Sequence, residues 1–315
     1  MSTATAFPRS WSLRRISVLA AVLVLLAVSA VRVDVPRLFT QAGASRALAG
    51  MAAQMWPLQI SDRQDVAETP GFDPAHLPLF AYLQTTDETT RELDRDRLAP
   101  ATVRHRKVWL VQPFGYVTQV ASKLLETIEI AIWGTLIAVL LGLPLGLAGS
   151  ASLVRSPTVR QAARAASAGL RAVPELLSAL VLVTAFGFGP PAGILALGLH
   201  AAGFLGRFYA DAIEDANQAP VRALQASGAG RLASFRFALW PQVRAPFVSS
   251  TFYILDRNVR MATVVGLVGA GGIGQELKGR IDMYEYAHVG TILVGILIVV
   301  LLLDHVAARL RRKKT

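Results

Sequence analysis

The sequence predicts an all-α integral membrane protein with six transmembrane helices, and three observations carry that prediction. Of its 315 residues 53% are hydrophobic and only 17% charged, with a mean hydropathy of +0.45, which is too apolar for a soluble domain of this size. Apolar runs of membrane-spanning length recur along the chain. The basic residues cluster beside those runs, so the formal net charge of +11 reports orientation in a membrane and not affinity for nucleic acid. There are no cysteines, which excludes disulfides and thiolate metal sites, and the five histidines show no ligand spacing. Neither a metal nor a cofactor is expected.

Residues 1–32 are read as a cytoplasmic N-terminus and first membrane helix. Arg9, Arg14 and Arg15 precede an apolar run from Ile16 to Val31, which spans a bilayer if its flanks snorkel. A cleaved secretory signal is the other reading of this stretch, since Val28-Ser29-Ala30 is a small-residue site. The next stretch, 33–122, is extracytoplasmic: from Val33 to Gln112 nine Lys/Arg stand against ten Asp/Glu, so the excess positive charge lies elsewhere. Arg46 to Pro57 has the spacing of an amphipathic helix, and Ser61 to Arg106, with its charge run Asp87 to Arg97, reads as a solvated loop or small helical cap.

Residues 123–304 form the transmembrane core. Its first span runs from Glu126 to about Gly149, where Gly134, Gly142, Pro144 and Gly146 allow close packing or a kink. Glu126 and Glu129 read as wetted ends of that span. Further spans cover about Gly169 to Phe188, Gly193 to Tyr209, Phe247 to Val268 and Val289 to Leu303, and Gly189-Pro190-Pro191 makes a tight outer turn. Arg155, Arg160 and Arg164, and the basic tail 305–315 with Arg309, Arg311, Arg312, Lys313 and Lys314, mark the cytoplasmic side. Six spans place both termini on the cytoplasmic side.

The segment 211–246 is polar and basic between apolar runs. Ala223 to Ala226 favour helix, Gly228 and Gly230 supply a corner, and a helix resuming at Arg231 is expected to stop at Pro241. This stretch resembles the Glu-Ala-Ala loop of permease subunits of ATP-binding-cassette importers, with Ala223, Gly228 and Pro241 on the recurring positions. Arg222 stands where that family has Glu, and Ala238 and Trp240 replace aliphatic residues before the proline. The resemblance implies a cytoplasmic coupling helix, carried by Arg222, Ala223, Leu224, Gly228 and Pro241, that docks on a separate ATPase subunit.

Gly269-Ala-Gly271-Gly272-Ile-Gly274 satisfies G-x-G-x-x-G. A dinucleotide site needs a strand before it and a βαβ context, whereas an apolar span precedes this one. The segment instead resembles the glycine-rich stretch that follows the fifth core span in phosphonate and methionine importer permeases. Arg171-Ala-Val-Pro174-Glu175, Gly203 to Tyr209 followed by Asp211-Ala-Ile-Glu214, and Asn258-Val-Arg260 together resemble the phosphonate-import permease, from about Leu124 to the C-terminus. The likeness implies a phosphonate or phosphite path, an outer substrate-binding protein, and a second copy or related permease as partner. Methionine permeases share the loop, so another small organic solute stays open as cargo.

An unpaired ion at bilayer depth costs about 2.5–3.5 kcal/mol on insertion scales. Asp256 and Arg260 are one helical turn apart and can pair, leaving Arg257 on a neighbouring face; Arg171 and Glu175 have the same spacing. Two readings stand for each pair: a guanidinium lining the translocation path and offering its fork to an oxyanion, or ion-pair glue between spans. No Walker A sequence occurs in the chain, so any ATP hydrolysis belongs to a partner. A membrane-embedded enzyme or a scaffold is the rival class, and the spans hold no assembled nucleophile, metal or acid/base cluster.

Overall fold

A computed structural model describes residues 13–33, 35, 42–68, 77, 78, 80–94 and 99–312. Arg9, Arg95, Arg97, Lys313 and Lys314, which figure in the charge reading above, lie outside those residues. The chain divides into two compact units, 1–54 and 55–315.

The first unit holds α1 (Leu13–Arg32) and α2 (Ala42–Gln54). Along α1, Val24, Leu25 and Leu26 are 63%, 69% and 59% exposed. Successive residues on a helix point in different directions, so α1 is apolar all round, the pattern of a helix solvated by hydrocarbon. The helix expected at Arg46 to Pro57 starts earlier and stops short of the proline, as α2 ends at Gln54.

The second unit opens with a three-stranded antiparallel sheet in the order β1-β3-β2, formed by β1 (Asp62–Asp65), β2 (Tyr82–Asp94) and β3 (Ala99–Gln112). Strands here correct the expectation of a loop or helical cap. The sequence Tyr82 to Thr90 is rich in Thr, and Val103, Val108, Trp109 and Val111 follow on the partner strand, so β-branched and aromatic residues favour a ladder where charge had suggested an unstructured loop.

The core is built on α3 (Gly115–Gly149) and α6 (Pro190–Glu214). Glycines on α3 meet large side chains of α6 at matching intervals. A Cβ on Gly134 would lie 3.1 Å from Leu197 Cβ, one on Gly142 2.8 Å from Leu205 Cβ, and one on Gly146 2.6 Å from Tyr209 Cβ. The helices therefore approach as closely as backbone allows, which is how membrane helices gain dispersion energy where no hydrophobic effect separates protein from lipid. Pro144 sits within the continuous helix α3.

The span expected at Gly169 to Phe188 is broken. Helix α4 (Pro157–Ala172) and helix α5 (Glu175–Phe186) meet at 82°. Pro174 cannot donate to the preceding turn and drives Val173 to extended backbone, ψ 121°. After α6 come α7 (Ala219–Ala226), α8 (Arg231–Ser234), a π-turn over Phe235–Leu239, α9 (Trp240–Gly266), α10 (Gly272–Asp282) and α11 (Tyr286–Arg312). Among the described residues, α3, α6 and Tyr286–Leu303 of α11 are long and apolar enough to cross a bilayer, and the bent pair α4–α5 would make a fourth crossing.

Pro241 does not end its helix as expected. Trp240 N–H donates to the carbonyl of Phe235, five residues back, and α9 begins around the proline. The widened turn accommodates the pyrrolidine ring, which would otherwise strike the carbonyl four residues earlier.

Replacing Gly146 by Val should push α3 and α6 apart. Overpacking of this kind costs about 1–3 kcal/mol, and thermal unfolding of the purified variant in detergent should show a lowered midpoint, whereas Gly169→Val, at a position with open space, should not.

Candidate functional site

Two regions gather the polar residues that the spans cannot leave to lipid: an ionic cluster at the α4–α5 bend, and the segment between α6 and α9. The bend creates the first. Its extended Val173 frees a backbone carbonyl, and His200 Nδ1 lies 3.0 Å from that oxygen. A carbonyl only accepts, so Nδ1 carries the hydrogen. His200 Nε2 lies 3.0 Å from Glu175 Oε1, and Arg257 Nη2 binds the same oxygen. The Glu175 side chain is 3% exposed and that of His200 9%. Pairing satisfies the rule that a buried carboxylate must be matched by a cation or donor.

This arrangement corrects the reading of Arg171 as the partner of Glu175. The bend carries the two away from helical register, and Arg171 Nε instead donates to the Ser167 carbonyl at 3.3 Å. Phe204 joins the set, with Arg257 Cζ 4.9 Å and Arg171 Cζ 5.4 Å from its ring centroid, both in cation–π range. Asp256 and Arg260 pair one turn apart at 2.6 Å, and Arg260 is 45% exposed. Next to Arg257, the wholly buried Asn258 donates to Thr135 Oγ1 at 2.9 Å and ties α9 to α3. His200 was missed by sequence reasoning; only its place in an apolar helix, ten residues from the α6 start, signalled a need for a partner.

The glycine-rich stretch packs against three elements. Gly269, Gly271 and Gly272 have φ of 93°, 87° and 70°, and a Cβ on Gly271 would meet Pro190 N at 2.9 Å, while one on Gly274 would strike the Thr263 carbonyl. The first backbone donors of α10 are taken from within the protein: Gly272 N–H donates to Glu126 Oε1 at 3.0 Å and Ile273 N–H to Thr127 Oγ1 at 2.8 Å. Glu126 thus caps α10, while it also pairs with the more exposed Lys123 at 2.6 Å. With those donors occupied the segment does not cradle a phosphate. Beyond it, Arg280 bonds Glu276 at 2.8 Å and Glu285 at 2.6 Å. Burial works against its charge, the two carboxylates outweigh it, and the guanidinium pKa is raised.

In the second region, α7 ends at Ser227, and Gly228 turns the chain at φ 89°, with Ala229 N–H donating to the Leu224 carbonyl at 3.0 Å. Arg222 and Ala223 are exposed, Leu224 is partly covered and Pro241 is exposed. Leu232 and Phe237 are 81% and 69% exposed. The base of the segment is clamped: Asn217 N–H donates to Gln242 Oε1 at 3.0 Å, and Gln242 Nε2 to the Asn217 carbonyl at 3.2 Å. Arg164 bonds Glu214 at 2.5 Å and the Gly149 carbonyl at 2.8 Å, and Arg231 reaches the Leu153 carbonyl at 3.0 Å. These bonds tie the base of the segment 211–246 to the ends of α3, α4, α6 and α9.

Arg257→Ala should strand the buried Glu175 carboxylate. Breaking a buried pair from one side costs about 3–5 kcal/mol, so the variant should unfold at clearly lower temperature than Arg260→Ala, whose partner is nearer solvent.

Residues 130–312 match the binding-protein-dependent transport system inner membrane component family. HtxE of Stutzerimonas stutzeri, ascribed to a phosphite transport system as a permease protein, is 45% identical over 259 residues, 82% of this chain and 99% of HtxE. PtxC of the same organism, a phosphite transport system permease protein, is 41% identical over 60% of this chain and 69% of its own length. PhnE of Mycolicibacterium smegmatis, a phosphate-import permease protein, is 34% identical over 60% of this chain and 35% of its own length. The inward-facing methionine ABC transporter MetNI shares the fold, with a TM-score of 0.56 and 24% identity over 62% of this chain and 96% of that one. The chain belongs to the binding-protein-dependent transport system inner membrane component family and is a membrane permease subunit of an ATP-binding-cassette importer, not an enzyme.

Proposed function

We propose that this chain forms half of a membrane path for phosphite or phosphonate oxyanions, driven by a separate ATPase subunit and supplied by an outer substrate-binding protein. The observation that carries the substrate class is the 45% identity to HtxE along 99% of that protein. The cluster at the bend agrees with it chemically, since Arg257 and Arg171 are both guanidiniums, the side chains best matched to a phosphorus oxyanion.

The path lies along the faces of α6 and α9. Arg207 and Asp211 on α6 are 44% and 39% exposed at the side chain, and Arg260 on α9 is 45% exposed. Such charges do not face acyl chains. Water and a second permease, identical or related, cover them. An open cleft of about 440 Å³ lined by Phe208, Asp211, Asp215, Gln242 and Ser250 lies on the same two helices. The membrane topology is six spans, with α1 as the first and α9 as the fifth, and both termini and the segment 211–246 in the cytoplasm. The outer stretch 33–122 carries the sheet on the opposite side.

Within 211–246, Arg222, Ala223 and Leu224 present the coupling helix to the ATPase, Gly228 sets its corner and Pro241 its junction with α9. Leu232 and Phe237 are exposed apolar contacts of the same docking surface. Gly269, Gly271, Gly272 and Gly274 hold the outer end of the path in place.

Transport is tested in cells lacking their own phosphorus-oxyanion importers and expressing this chain with its ATPase and binding protein. Labelled phosphite or alkylphosphonate should accumulate and methionine should not; accumulation of methionine alone would overturn the substrate reading. Leu232→Asp combined with Phe237→Asp should release the ATPase during co-purification while the permease still reaches the membrane, and retained ATPase would contradict the docking surface.

A further inference from the structure

Five arginines of the helical core are matched within the chain. Arg164 pairs with Glu214, Arg207 with Asp211, Arg257 with Glu175, Arg260 with Asp256, and Arg280 with Glu276 and Glu285. The segment that carries α7 and α8 breaks this pattern. Between Asp215 and Asp256 the chain holds four arginines, at 222, 231, 236 and 244, and no aspartate, glutamate, lysine or histidine. All four are exposed, and none forms an ion pair among the described residues. Arg231 Nη2 instead donates to the Leu153 carbonyl, and Arg236 Cζ lies 6.0 Å from the ring centroid of Phe237.

We infer that this segment is a docking face of one sign, and that the ATPase groove receiving it is lined with carboxylates, one of them opposite Arg222. Solvation alone accounts for an exposed guanidinium but not for its neighbours. Leu232 and Phe237, 81% and 69% exposed, lie among the arginines. Large apolar side chains beside guanidiniums are what a protein interface presents to its partner.

An anionic lipid surface would also take arginines beside apolar residues, and α7 argues against it. A helix lying among lipid headgroups turns its large apolar residues outward. On α7 the two large aliphatic residues, Val221 and Leu224, are partly covered, and Val221 packs on the core beneath. The exposed positions are Ala219, Pro220, Arg222, Ala223, Gln225 and Ala226. Short side chains around one arginine admit the close approach of a protein groove and give acyl chains little to bury.

Position 222 supplies the sign. The loop that this segment resembles carries glutamate there, and a groove complementary to glutamate is cationic. Set against Arg222, such a groove would place like charges together, which opposes binding and rejects the wrong partner. The charge of the groove is therefore reversed along with that of the permease. That the partner is the ATPase rests on the coupling reading above; the sign of the surface it meets is the new element.

The test uses the full chain in nanodiscs of phosphatidylcholine alone, with the ATPase subunit expressed beside it. Arg222→Lys, which keeps the charge, is treated with a carbodiimide, a reagent that joins an amine to a carboxylate in contact with it. An amide between position 222 and an Asp or Glu of the ATPase is expected; a bound ATPase with no such link contradicts the inference. Wild-type affinity should fall about ten-fold between roughly 0.05 and 0.5 M salt, as screening shortens the reach of exposed charges. Arg222→Glu combined with Arg236→Glu should lower it by about ten-fold or more at fixed salt, whereas Arg63→Glu, exposed on β1, should leave it unchanged. Gel filtration of each variant as a single species sets misfolding aside. If the double reversal spares ATPase affinity and lowers retention of phosphatidylglycerol instead, the arginines serve lipid and the inference falls. If Leu232→Asp with Phe237→Asp leaves the ATPase bound, the coupling reading itself fails. If that pair releases the ATPase while the arginine reversals do not, the coupling reading stands and the acidic groove is overturned.

Discussion

The cost of an ion out of water governs this molecule. Glu175 is 3% exposed, and nothing in an apolar helix such as α5 can compensate a buried carboxylate, so its partners must come from elsewhere in the fold. They come from α6 and α9, through His200 and Arg257. Three helices are thereby held at one point, and the point is where Pro174 breaks α4 from α5. The break itself leaves a carbonyl at Val173 that has lost its helical donor, and His200 supplies one. Breaking one span thus creates both the need for the cluster and part of the means to build it.

Around that point, packing is set by small residues. The glycines of α3 admit Leu197, Leu205 and Tyr209 of α6, and the stretch 269–274 turns back tightly enough to place the first donors of α10 against Glu126 and Thr127 of α3. At the other end, Asn217 and Gln242 clamp the segment that carries α7, and Arg164 and Arg231 tie it to α3, α4 and the turn between them. Hydrogen-bonded seams therefore hold the helices together at both ends.

Much of this was legible in the sequence because it rests on local physics. Apolar runs, the Gly228 corner, the Asp256–Arg260 pair one turn apart and the irregular backbone at 269–274 are each encoded by neighbours in the chain. The cluster was not, because its partners are distant: Arg257 is 82 residues from Glu175, and Arg171, four residues from it, offered a nearer pairing that the Pro174 bend removed. His200 read as one of five scattered histidines. The three-stranded sheet was hidden by its charges, which suggest solvation and say little about strand pairing. Pro241 read as a stop because the π-turn that admits it leaves no mark in composition.

The central claim is that the charged faces of α6 and α9 border water between two permeases and do not border lipid. The chain has no cysteine, so single cysteines report without a background. Cysteines at Ser250 and at Val181, which is 65% exposed on α5, separate the two environments when a membrane-impermeant thiol reagent is added to inside-out vesicles. The account predicts rapid labelling at position 250, slowed when the importer is locked outward by a non-hydrolysable ATP analogue, and none at position 181. Equal labelling at both positions, or none at position 250 in any state, would contradict it.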